Sequence, residues 1–210
     1  MSLAPTRRSR RAIYRAAAVV VIVLSTAACA SSDSAKSADP DTTTLVQMFP
    51  SDFEPACRNN PVTGATPYDP ARAGIHKVVV LTGTSVDDLS EGFLDLPSEW
   101  MILFDTESDQ YATAELVLCV VRTTTMLVKE CAGYESDGVE TDNVVKLYSA
   151  EYDVSAREAT TGAEVGRSTV SAIADECPMF VSFTEGESTR DWFETDAAAV
   201  AAFARPLAET

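Results

Sequence analysis

The chain has 210 residues, with 32 acidic side chains against 16 lysines and arginines, a net charge of −16, and one histidine. A field of that sign repels phosphate backbones, which excludes nucleic acid as a partner. With a lone histidine and no Cys-x-x-Cys pair, ordinary zinc ligation lacks nitrogen and sulfur donors, and no metal or cofactor is expected.

The first elements are basic and then apolar. Residues 6–15 carry five arginines and no acid, and residues 16–28 form a run of small and apolar side chains. That run has the length of a secretory core and stops short of the roughly 20 apolar residues that span a bilayer. Residues 1–28 therefore read as an export signal. The motif VLSTAAC that ends it resembles the lipobox of bacterial lipoproteins. Ala27, Ala28 and Cys29 match; Thr26 stands where that family carries leucine, and the nearest leucine is Leu24. The resemblance implies cleavage before Cys29 and a thioether link from Cys29 to diacylglycerol, moored by further acyl chains such as palmitate. One chain alone holds weakly, at about 0.8 kcal/mol per buried CH₂. The competing reading is ordinary cleavage after Ala30, which releases a soluble secreted protein. Residues 9–15, SRRAIYR, are similar to a twin-arginine export signal, with Ile13 and Tyr14 where Phe and Leu are usual; an ordinary basic n-region accounts for them as well.

Cysteine arithmetic bears on Cys29. The others are Cys57, Cys119, Cys131 and Cys177. Exported proteins pair their thiols, so lipidation of Cys29 would leave an even set of four. Loss of the signal's five arginines would take the charge from −16 to −21. Residues 29–44 are polar and small, the composition of a flexible tether. Residues 45–210 suffice for one domain with its own core.

Within that domain, residues 48–74 are rich in Pro, Asn, Asp and Gly and read as irregular structure tied down by Cys57. Residues 75–82, IHKVVVLT, read as a buried strand. Ser85 and Asp88 have capping-box spacing and predict a short helix after it. Residues 99–105 form another candidate strand. Residues 114–134 hold two β-rich runs around a threonine turn, a predicted hairpin centred on Thr125. That hairpin would place Cys119 opposite Cys131, so the expected disulfides are Cys119–Cys131 and Cys57–Cys177. Residues 144–159 alternate. Tyr148, Ala150, Tyr152, Val154 and Ala156 share a buried face, and Ser149, Glu151, Asp153, Ser155 and Arg157 a wet one. A turn at residues 160–162 leads to a partner strand over 164–173. Asp196 then caps a terminal helix whose stripe is Val200, Phe203, Ala204 and Leu207. The fold class that follows is mainly β, an antiparallel sheet or sandwich with a short helix after the first strand and a C-terminal helix, stapled by disulfides. Residues 115–122, 131–134, 158–162 and 176–178 resemble, in their arrangement, uncharacterised secreted bacterial β-domains, a likeness that implies no activity.

Tests for chemistry give little. Asp105, Glu107 and Asp109 alternate like half an EF-hand loop, but Gln110 and Leu116 occupy the places of the turn glycine and the closing glutamate. No G-x-S-x-G is present, and His76 would have to be the base of any hydrolase. Residues 78–85 resemble a strand leading into a phosphate-binding helix start, but Asp87, Asp88 and Glu91 give that start the wrong sign. Glu99 beside Trp100, and Asp191 and Glu194 around Trp192, leave a glycan-acting enzyme with paired carboxylates as the alternative. The preferred reading is a lipid-anchored envelope protein, outside the cytoplasm, whose ectodomain has a binding or structural role without catalysis; its ligand is not specified by the sequence, an envelope protein or a glycan being the candidate partners.

Overall fold

One six-stranded mixed sheet organises the described residues, 47–102 and 109–210 of this computed structural model. The signal, the tether and Cys29 lie outside them. The strands are β1 (Val78–Ser85), β2 (Asp88–Glu91), β3 (Leu116–Cys131), β6 (Val144–Glu158), β7 (Glu164–Ile173) and β8 (Thr189–Trp192); β4 (Glu135–Ser136) and β5 (Val139–Glu140) form a separate small hairpin. A one-turn helix α1 (Glu54–Cys57) precedes β1, and α2 (Ala197–Ala208) closes the domain. The order is β2-β1-β3-β6-β7, with β8 continuing the β7 side of β6. Among the described residues no helix is long and apolar enough to cross a membrane.

The mainly β class and the C-terminal helix agree with the pattern of the sequence, but the sheet is not purely antiparallel. β1 runs parallel to β3 and β8 parallel to β6. Nor do residues 114–134 form a hairpin. β3 is one continuous 16-residue strand, antiparallel to β6 over its whole length. Thr123–Thr125 lacks the Gly, Asn or Asp that a tight turn requires, and extended threonine is a good strand residue. Strand bulges between Arg122 and Thr124 and between Leu127 and Lys129 absorb the irregularity instead. Residues 99–105 are no regular strand in their described part: Met101 makes an isolated bridge to Val78, and 103–108 lie outside the described residues.

The continuous strand overturns the expected disulfides. Twelve residues at about 3.3 Å each put Cys119 and Cys131 about 40 Å apart, far beyond bonding reach. The structure pairs Cys57 with Cys119, Cα atoms 5.8 Å apart, and Cys131 with Cys177, 5.9 Å apart. Each bond pins an irregular segment to one end of the sheet.

The short helix expected at Ser85 is a turn. The Asp87 amide donates to Ser85 Oγ, and the chain reverses into β2, which is antiparallel to β1. A serine and an aspartate that can cap a helix can equally close a turn.

Alternation on β6 decides the layers. Ala150, Tyr152, Val154 and Ala156 pack with Val78, Val80, Leu118 and Val120 under α2, through Val200, Ala204 and Ala208. Asp196 caps α2 by accepting from the Ala199 amide at 2.9 Å. The opposite face is not simply wet. Ser155 and Arg157 are buried there, where Met48, Phe53, Ala56 and Cys57 cluster with Val79, Leu81, Val117 and Cys119. At the far end of β6, Val145 and Leu147 are also fully buried, against Cys131 and Ala174. Polar alternation was therefore a poor guide to solvent on this face.

The β6–β7 hairpin turns as expected, at Gly162 (φ 71°). A Cβ added there would lie 2.6 Å from the Asn60 carbonyl oxygen and 2.8 Å from the Asn59 carbonyl carbon. Gly162→Ala combines a left-handed backbone with a clash against main chain, and should cost about 2 kcal/mol or more. The urea midpoint should fall without a change in slope; an unchanged midpoint would show that the turn moves freely.

Candidate binding groove

The N-terminal half of β3 is sandwiched between β1 and β6, but β1 stops at the pair Gly83–Val121. Beyond it β3 continues with β6 alone, and residues 123–130 are all exposed. At the end of this arm Cys131 is buried and bonded to Cys177, whose own residue is exposed. Two segments leave the disulfide. One passes Gly133 and Tyr134 into the β4–β5 hairpin, whose turn residues Asp137 and Gly138 have φ of 53° and 75°. Asp-Gly is the sequence signal for such a turn, and it is legible at residues 137–138. The other segment runs through residues 178–188 to β8.

Between the segments lies a groove of about 670 Å³, lined by residues 133–136, Asn143 and residues 179–183. Its floor belongs to the cluster of Cys131, Val145, Leu147 and Ala174, against which Tyr134, Val181, Phe183 and Trp192 pack. The Tyr134 and Phe183 rings meet edge to face, centroids 6.0 Å apart. Tyr134 Oη is shielded from solvent and finds no hydrogen-bond partner among the described residues. Burial pushes its phenol up, so the hydroxyl remains a donor at neutral pH. Met179 and Phe180, by contrast, stand out from the rim, 85% and 88% exposed.

The segment that carries them is braced. The Arg190 guanidinium donates to the Ser182 carbonyl, and the Thr184 amide donates to the Glu187 carboxylate at 3.0 Å. That amide bond holds the Glu187 carboxyl below its ordinary range, so it is ionised at neutral pH. Glu135, Asp137, Glu140 and Asp142 lie on one segment and Glu185 and Glu187 on the other, and Glu135 lines the groove. Arg190 is the one cation in residues 132–145 and 174–190.

Sites suggested by the sequence fall elsewhere. Asp105 and Glu107 lie outside the described residues. Asp109 accepts from the Met48 and Ala112 amides, both at 3.2 Å, and Leu116 begins β3. No group of three or more metal-ligating side chains occurs among the described residues. Residues 78–85 are a strand ending in a hairpin turn, with no helix start to hold phosphate. Trp100 is fully buried and its indole donates to the Glu209 carboxylate at 3.1 Å, so it cannot stack on a sugar. Asp191 and Trp192 are successive residues of β8 and point to opposite faces. His76 is wholly buried between Glu115 and Thr210. The groove itself has no signature in the sequence beyond the Asp-Gly turn and an apolar Met-Phe-Val run after Cys177-Pro178.

No family model, curated protein or solved structure matches the chain.

Proposed function

We propose that the protein is a lipid-anchored cell-envelope protein whose ectodomain binds another molecule without converting it. The observation that carries this reading is the use of cysteine. Cys57, Cys119, Cys131 and Cys177 all enter disulfides, which suits an oxidising compartment and leaves Cys29, at the end of the export signal, as the fifth. A tether at residues 29–44 would hold the domain off the membrane surface, with the groove at the β3–β6–β8 end of the sheet as its contact region. Thiol pairing and the sequence of the first 28 residues support the attachment; the groove supports binding.

Mass measurement of the mature N-terminal peptide tests attachment. The expected result is diacylglyceryl on Cys29, with Cys29→Ser moving the protein from the membrane fraction to the soluble one. An unmodified start at Ser31 would replace the anchored reading with the secreted one.

A further inference from the structure

We propose that the groove at the end of β3 docks an extended cationic segment of a partner protein, with Met179 and Phe180 as apolar anchors. The proposal rests on the reading of the ectodomain as a binding module and is independent of the lipid. Two large apolar side chains side by side at 85% and 88% exposure leave apolar surface in water unless a partner covers it. Methionine adapts to varied shapes and phenylalanine supplies area, which suits a macromolecular contact. Both line the groove yet stand largely in solvent, so they are placed to meet a surface rather than to bury a small ligand. Residues 178–183 lie outside any strand, and their main-chain groups have no sheet partner among the described residues. An extended peptide can pair with such groups, the Ser182 carbonyl excepted, which the Arg190 guanidinium already occupies.

Charge separates the two surfaces that an exposed Met-Phe pair could enter. The two segments carry six carboxylates against Arg190, and Glu135 is the one that lines the groove itself. Anionic headgroups would be repelled at that rim, whereas lysine and arginine side chains flanking an apolar residue would be drawn to it. A membrane is therefore the disfavoured occupant. A peptide in which basic and apolar residues alternate complements both the rim and the anchors.

The test pans a random twelve-residue peptide library against the exported, oxidised protein and, in parallel, against its Met179→Ser/Phe180→Ser variant. Both positions are exposed, so the variant should keep the wild-type near-ultraviolet dichroism. Enriched peptides are expected to interleave lysine or arginine with apolar residues. A synthetic copy of one should bind at least about tenfold more weakly to the double variant, and progressively more weakly with added salt. Glu135→Lys, on the rim, should weaken it as well and provides a second reading if the double variant is misfolded. Absence of enrichment, enrichment of acidic sequences, or equal binding by all three proteins would overturn the proposal. So would Phe180-dependent sedimentation with anionic phosphatidylglycerol vesicles in place of peptide binding. A failed panning beside a lipidated Cys29 would remove the groove and leave the anchor intact; the converse result would remove the anchor alone.

Discussion

Glu115→Ala is expected to lower the unfolding free energy by about 3 kcal/mol. Glu115 is 4% exposed and begins the approach to β3. Its carboxylate accepts from Arg72 Nη2 at 2.6 and 2.8 Å, and lies 2.6 Å from Nδ1 of the wholly buried His76. His76 Nε2 is 3.1 Å from Thr210 Oγ1, whose hydroxyl donates to the Arg72 carbonyl, and the Tyr68 ring stands on the imidazole, centroids 4.8 Å apart. Gly74 and Thr210 exchange backbone hydrogen bonds at 2.8 and 3.2 Å. One carboxylate thus fastens residues 72–76 and the residues after α2 to the start of the central strand. Removing it strands a buried imidazole and a guanidinium at once, for which breaking a buried pair costs about 3–5 kcal/mol. The lower end applies because the Arg72 side chain is 45% exposed and can turn to water. Glu115→Gln keeps an acceptor and should lose about half as much. Urea unfolding measures both, and hydrogen exchange should show residues 72–76 and 208–210 losing protection first. A loss below about 1 kcal/mol for Glu115→Ala would mean that the cluster is solvated and holds nothing.

This cluster shows where reading the sequence stops. His76 was visible as a lone histidine beside an apolar run, but its partners stand 4, 39 and 134 residues away, and only the topology joins them. Local signals fared better. Val78–Val80 is β-branched and the run to Leu81 is buried, residues 160–162 close a hairpin, and Asp196 caps a helix whose period is plain. Where local chemistry was ambiguous the reading failed. Ser85 and Asp88 can serve a helix or a turn, and Thr123–Thr125 can break a strand or extend it. The second ambiguity propagated, because a hairpin at Thr125 implied Cys119–Cys131, and one wrong turn fixed both wrong disulfides. Parallel pairing of β1 with β3 joins segments separated by about thirty residues, and periodicity carries no trace of it. For the groove, Asp137-Gly138 is a local turn signal absent from the predicted elements, and the Met179-Phe180 rim has no such signal, since exposure of an apolar pair has no local pattern.

The two disulfides should respond differently to reduction and to deletion. Cys57 and Cys119 are 4% and 1% exposed within a packed cluster, whereas Cys177 is exposed beside a buried Cys131. A thiolate must reach sulfur in line to exchange, so mild reductant under native conditions should open Cys131–Cys177 first. Alkylation and mass mapping should find label on Cys131 and Cys177 while Cys57 and Cys119 remain joined. Deletion reads a different quantity. With a sequence separation of 62, Cys57 and Cys119 restrict the unfolded chain by about 4 kcal/mol in the loop-closure account, and the separation of 46 in the other pair gives nearly the same. The native states part company after that. Losing Cys57–Cys119 frees the segment that covers Val79, Leu81 and Val117, so Cys57→Ala/Cys119→Ala should lose the full amount, about a quarter or more of an ordinary domain's 5–15 kcal/mol. Losing Cys131–Cys177 frees a segment at the end of the three-stranded β3–β6–β8 extension, away from the cluster under α2, where local opening can occur without global unfolding. Peptide binding at the groove should therefore fall in Cys131→Ala/Cys177→Ala while the main thermal transition moves less than in the other double variant. Label appearing first on Cys57 and Cys119, or equal shifts for the two deletions, would show that the arm and the body unfold as one unit.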